Sequence, residues 1–252
     1  MHITGNTVFI PGATSGIGLA LAERLYAAGN TVIVGGRRAE LLTEIAATHP
    51  GIDTVRIDTA DEDSIRGAVD DVLERHPNLN VLVTMAGVMR VEDWTQGPAV
   101  LATAEETVVT NVLGPLRLIA HLLPHLQAQT DATIMTVSSG LAFVPLRATP
   151  TYNATKAAVH LFSESLRLQL EGTSVSVIEL EPPSVATDLL PGQRESSFAM
   201  DLDEFADEVF DILRDQPDAT EVQVSRVGFL RHAEAEGRYA ETVRRLNAAD
   251  PH

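Results

Sequence analysis

The sequence predicts an α/β fold: a doubly wound parallel sheet with helices on both faces, in one domain spanning 1–252. Three observations carry the prediction. Short apolar, β-branched runs alternate along the chain with segments whose apolar residues recur every three or four positions. A glycine-rich turn, GATSGIG, follows the first run directly and opens the first helical segment. The early runs are continuously apolar, as strands covered by helices on both faces must be.

Taken in order, strands are expected at 7–10 (TVFI), 31–35 (TVIVG), 53–57 (DTVRI), 80–84 (NVLVT), 133–137 (TIMTV), 175–180 (VSVIEL) and 221–224 (EVQV). Helices are expected at 16–28, 38–48, 61–75, 102–128, 151–171 and 202–214. Right-handed crossovers place the first and fourth strands side by side, at the point where the strand order reverses. The stretch 182–201 interrupts the alternation, and a loop of that length is more often functional than incidental. The closing part, 228–252, reads as a polar surface segment with a helix over 230–248.

Bulk properties narrow the function. A net charge of −17 disfavours nucleic acid and anionic membranes as partners. The chain has no cysteine, so no disulfide or thiolate chemistry is available. The start, MHITGNTVFI, lacks secretory-signal features, and a cytoplasmic protein is expected. No metal site is expected either: His121 and His125 lie four apart, but Pro124 stands between them and no third ligand accompanies them. The acidic helix at 202–214 reads as amphipathic, with Leu202, Phe205, Val209, Ile212 and Leu213 on one side.

Two motifs carry chemistry. In GATSGIG, Gly12, Gly16 and Gly18 lie between a strand and a helix, where a tight turn and free helical N–H groups suit a phosphate. A turn without a ligand fits the same glycines. The second motif is YNATK. Tyr152 and Lys156 are four apart, on one face if helical, so phenol and ammonium reach the same small volume. An adjacent cation favours the phenolate and moves a pKa near 10 toward the working range. Of the 18 basic residues other than histidine, 17 are arginine, and Lys156 is the single lysine. With three tyrosines in 252 positions, the chance that one falls four residues before that lysine is roughly 1%.

These motifs together resemble the short-chain dehydrogenases and reductases, from residue 5 to about 225. The resemblance implies a Rossmann-type oxidoreductase that moves a hydride between a nicotinamide and a carbonyl or secondary alcohol. It implies a catalytic set of Asn111 (TNVLGP), Ser139 (TVSSG), Tyr152 and Lys156, with Ser138 the neighbour that spacing sets aside. It implies cofactor contacts from Gly12, Thr14, Ser15, Gly16, Ile17 and Gly18, and from Tyr152 and Lys156 themselves. Asp58 and Thr59 at the end of the third strand, Ala86 and Gly87 in TMAG, and Pro182, Val185 and Thr187 in PPSVAT complete that set. For Asp58 a capping role is the plain alternative. SSGLAFVPL, the doubled proline and the C-terminal pattern resemble the DltE-type branch of the family.

The second strand ends TVIVGGRR, with Gly36 where an acid holding a ribose 2′-OH usually stands. Arg37 and Arg38 follow, which favours NADP, with NAD the alternative. Three residues depart from the family pattern: Pro11 for threonine, Met85 (after Thr84) within the usual NNAG, and Pro183 for glycine. Pro11 and Met85 are expected to be neighbours, one coupled change from a polar link to apolar packing. The substrate is expected to be an apolar carbonyl or alcohol, held by Leu141, Phe143, Val144, Leu146, Leu189, Leu190 and Phe198, with Arg147 and Arg194 as candidate anchors for an anionic group. A dinucleotide sensor with silent chemistry and an epimerase or dehydratase using nicotinamide transiently are the alternatives. A homo-oligomer, dimer or tetramer, is implied by the family through the helices at 102–128 and 151–171.

Overall fold

The computed structural model describes residues 1–248. Seven strands form one sheet, every pairing parallel: β1 (Thr7–Pro11), β2 (Thr31–Gly36), β3 (Ile52–Arg56), β4 (Val81–Thr84), β5 (Ala132–Val137), β6 (Val175–Leu180) and β7 (Glu221–Val222), in the order β3-β2-β1-β4-β5-β6-β7. The order reverses between β1 and β4. The helices that join them are α1 (Gly16–Ala27), α2 (Ala39–Thr48), α3 (Glu62–Arg75), α4 (Leu101–Val108), α5 (Gly114–Gln127), α6 (Pro150–Gln169) and α7 (Leu202–Asp215), followed by α8 (Gly228–Arg231) and α9 (Tyr239–Ala248).

Two apolar layers cover the sheet. On one face Val8, Ile10, Val32, Val34, Val81 and Val83 pack with Leu21 and Leu25 of α1 and Phe205 and Val209 of α7. On the other, Phe9, Ile33, Leu82 and Ile134 pack with Ile65 and Val72 of α3, Leu118 and Leu122 of α5 and Leu166 of α6. Neighbouring residues of β1 serve opposite layers, which is why its run is continuously apolar.

The helix expected over 102–128 is continuous but not uniform. Val109–Leu113 makes a π-helical turn between α4 and α5. Pro115 has no N–H to give the Asn111 carbonyl four residues back, and the ladder widens there. The run Trp94–Gln127 is long and apolar enough to cross a membrane by length and composition. Leu118, Ile119, Leu122 and Leu126 are nevertheless buried against the sheet.

The single helix expected over 230–248 is corrected. The chain is helical over Gly228–Arg231, turns, passes Gly237 at φ 69° and resumes at Tyr239–Ala248. Nor is the segment merely a surface one. Leu230 and Ala233 are buried with Val144, and Phe143, Val243 and Leu246 pack around them. Residues 249–252 of that segment lie outside the described residues.

Pro11 ends β1, paired with Gly35 of β2. Thr7 accepts from Asn80 and Gly12 donates to the Gly35 carbonyl, so by alternation Pro11 turns its nitrogen toward β4. The β1–β4 ladder stops at Phe9 and Leu82, and the Val83 carbonyl accepts the Met85 N–H at 2.9 Å. The Met85 side chain packs on the layer containing Ala13 and Leu21, over Gly18. Met85 thus supplies the Val83 carbonyl with a donor at the end of β4, where the ladder to β1 has already stopped.

Candidate active site

A cleft of about 510 Å³ opens at the C-terminal ends of the strands, where their order reverses. The glycine loop forms one wall. Gly12 has φ 93°, and a Cβ there would fall 2.5 Å from the Ala86 backbone, so only glycine lets the loop and the segment after β4 close together. Helix α1 begins at Gly16 with no side-chain cap and no acid in its first turn, leaving its N–H groups free for an anion.

Thr14, Ser15, Gly16, Ile17 and Gly18 all border the cleft, as do Arg37, Arg38, Thr59, Ala86, Gly87, Pro182, Val185 and Thr187. Asp58 does not. Its carboxylate accepts from the Ala60 N–H at 3.0 Å, a turn role, while Asp61 caps α3. Of the two arginines, Arg38 reaches the loop, donating to Thr14 Oγ1 at 2.9 Å and Ser15 Oγ at 3.1 Å. Thr187 lies against Gly16, and the Val185–Met200 bridge clasps the base of the long loop.

Three of the four residues of the expected catalytic set, Ser139, Tyr152 and Lys156, border the cleft. Helix α6 carries Tyr152 and Lys156, both buried, with the ammonium 5.5 Å from the ring centroid. Lys156 Nζ donates to the Val137 carbonyl at 2.8 Å. Ser139 lies in hydrogen-bonding reach of the Tyr152 hydroxyl, and its own oxygen accepts from Leu141 N at 3.1 Å. Asn111, in the π turn, does not border the cleft but stands just behind Gly87. Its amide brackets Val88, accepting from the N–H and donating to the C=O, each at 2.8 Å, and it also donates to Thr155 Oγ1 at 3.2 Å.

Electrostatics depart from the expectation that the cation governs the phenol. Burial pushes Tyr152 up to about 12, opposed by the Ser139 hydrogen bond. Burial also brings Lys156 down to about 8, opposed by the charge of Glu179. For both groups desolvation is the larger effect.

Among the cleft residues, Arg90 was outside the sequence reading and Ser138 was set aside by it. Arg90 borders the cleft and pairs with Glu106 at 3.6 Å. Ser138 borders it as well, its buried hydroxyl making no hydrogen bond among the described residues. Arg194 instead pairs with Asp188, and Arg147 contacts Asn247. Of the apolar residues expected to hold the substrate only Leu189 borders the cleft. Leu141, Leu146 and Leu190 pack beside it with Met89 and Tyr152, Phe143 and Val144 pack with Leu230 and Ala233 instead, and Phe198 is exposed.

Comparison with known proteins identifies the fold and the family. The chain is 44% identical over 195 residues to an uncharacterized oxidoreductase, DltE, of Bacillus subtilis, covering 77% of each chain. A short-chain dehydrogenase from Streptomyces avermitilis superposes with TM-score 0.82 at 25% identity, over 95% of this chain and 97% of that one. A short-chain dehydrogenase from Burkholderia cenocepacia, solved in complex with NADP, superposes with TM-score 0.81 at 23% identity, over 98% and 99%. The family model for short chain dehydrogenases matches residues 6–197, and the chain belongs to that family of oxidoreductases.

Proposed function

We propose that the protein transfers a hydride between NADP and an apolar carbonyl or secondary alcohol. The observation that carries the reading is the convergence of Ser139, Tyr152 and Lys156 at the inner end of a cleft whose other end is a glycine loop and a helix N-terminus.

The residues present fit a dinucleotide. The buried Ser138 hydroxyl faces the cleft without a partner, the α1 N–H groups are free, and Arg38 lies over the loop. The loop and α1 would hold the diphosphate, Arg38 with Arg37 a 2′-phosphate, Lys156 the ribose, and Val185 with Thr187 the carboxamide end. When bound, nicotinamide supplies or accepts the hydride. Ser139 orients the substrate oxygen. Tyr152 as the phenol gives that oxygen its proton in reduction, and as the phenolate takes one from the alcohol in oxidation. Leu189 on the cleft, backed by the apolar cluster of Met89 and Leu190 around Tyr152, favours an apolar substrate. A homo-oligomer belongs to the same reading, supported by the exposed Leu161 and Leu168 on α6.

The test is a panel of carbonyls and alcohols scored by nicotinamide absorbance with each cofactor. Turnover of apolar ketones with NADPH is expected. Dinucleotide binding without turnover of any compound would instead favour the sensor reading.

A further inference from the structure

Strand β6 carries a feature that the chemistry above does not use. It runs into ELEPP, and Glu179 and Glu181, two apart in extended chain, point to the same side and are both fully buried. Two buried carboxylates side by side demand partners. Glu181 finds Arg231, whose Nε stands 3.2 Å from it, and the same guanidinium reaches Glu221 at 3.2 Å. That arginine lies over the Phe143 ring at 4.4 Å, and Phe143 meets the His160 ring edge-on at 4.7 Å.

Glu179 has a different partner. The His160 Nδ1–H donates to both of its oxygens at 3.0 Å. His160 stands one helical turn beyond Lys156 on α6, on the same face. Lys156 Nζ is anchored on Val137, which pairs in the β5–β6 ladder with Leu180, the neighbour of Glu179. His160, Glu179 and Glu181 are close enough to share a metal ion, but Arg231 already supplies the cation against Glu181.

We propose that Glu179 is a positioning residue for Lys156: its buried carboxylate, held by His160 one turn along the same face of α6, sets the surroundings of the ammonium next to Tyr152. The inference rests on the reading of Lys156 as part of the reaction centre. Among the described residues the charged and titratable groups around the pair are Tyr152 and His160 on α6, Glu181 after β6, Glu221 on β7 and Arg231 on α8. Burial drives the Lys156 ammonium toward its neutral form, and Glu179 is the group that opposes it.

Because Lys156 is the single lysine, the full chain labelled with carbon-13 lysine gives one side-chain signal whose Cε shift against pH reads its titration directly. The wild type is expected to titrate near 8. Glu179→Gln should lower that midpoint by about one pH unit or more, and Glu181→Gln, which removes a carboxyl already held toward its protonated form, should lower it less. A folded Glu179→Gln chain with the wild-type midpoint, or equal drops in the two variants, overturns the proposal. If Glu179→Gln does not fold, Glu179→Asp decides: it keeps the carboxylate but draws it back, and a midpoint equal to the wild type's overturns the proposal. The titration needs no substrate, so it fails or stands separately from turnover and from the proposed reaction.

Discussion

Thr14 fills the space that any side chain at position 36 would need: a Cβ on Gly36 would fall 2.4 Å from the Thr14 Cγ2. The place where an acid would meet a ribose hydroxyl is therefore closed, and the same threonine accepts a hydrogen bond from Arg38. One threonine thus both crowds position 36 and holds Arg38, which is the basis of the proposed preference for NADP. Arg38→Ala should weaken NADPH binding by roughly 10-fold or more, the worth of a charge-assisted hydrogen bond. NADH should be nearly unaffected, which fluorescence titration of both cofactors checks. Equal losses would remove the assignment.

Pro11 and Met85 lead to a stability prediction. The Val83 carbonyl is already taken by Met85, so returning an N–H in Pro11→Thr should change stability by less than about 1 kcal/mol. Met85→Asn removes apolar packing over Gly18 and should cost roughly 1–2 kcal/mol. Urea unfolding of the two variants measures both.

Asn111 brackets both polar groups of the Val88 backbone. Asn111→Ala leaves a buried donor and a buried acceptor unpaired, at about 1–3 kcal/mol each. Its loss of activity should therefore come with a clear loss of stability, seen in denaturant titration. A variant as stable as the wild type would show that water replaces the amide.

Glu181 predicts a pH dependence. Burial first, then the charges of Glu179 and Glu221, raise it from the usual 4.5 to about 8. Between those values the folded chain keeps a proton that the unfolded chain has released, so stability falls as pH rises through the window. Glu181→Gln should flatten that part of the stability profile, measured by thermal or urea unfolding from pH 5 to about 8.5.

The strand pattern and the Tyr152–Lys156 pair were legible because each depends on local spacing. Continuous apolar runs mark strands buried on both faces, and a four-residue interval marks one helix face. What escaped depends on distant chain or on side-chain direction. The 230–248 segment kept apolar residues at helical intervals across Gly237, so its break was invisible. Which of Arg37 and Arg38 bends toward Thr14 is set by how α2 leaves the strand, not by composition. Glu179 and His160 are 19 residues apart, and Glu181 and Arg231 are 50 apart. The two glutamates inside an apolar strand were nonetheless a usable signal, since such groups need buried partners. The phenol's titration was misjudged because sequence shows the neighbouring cation but not the depth of burial.

The most direct test of the proposed hydride transfer is single-turnover reduction of an apolar ketone with NADPH by the wild type and Tyr152→Phe. The phenol's proton is the only feature removed, so the account predicts a rate lower by about 100-fold or more with NADPH affinity unchanged. A Tyr152→Phe protein that reduces the ketone at the wild-type rate would contradict it.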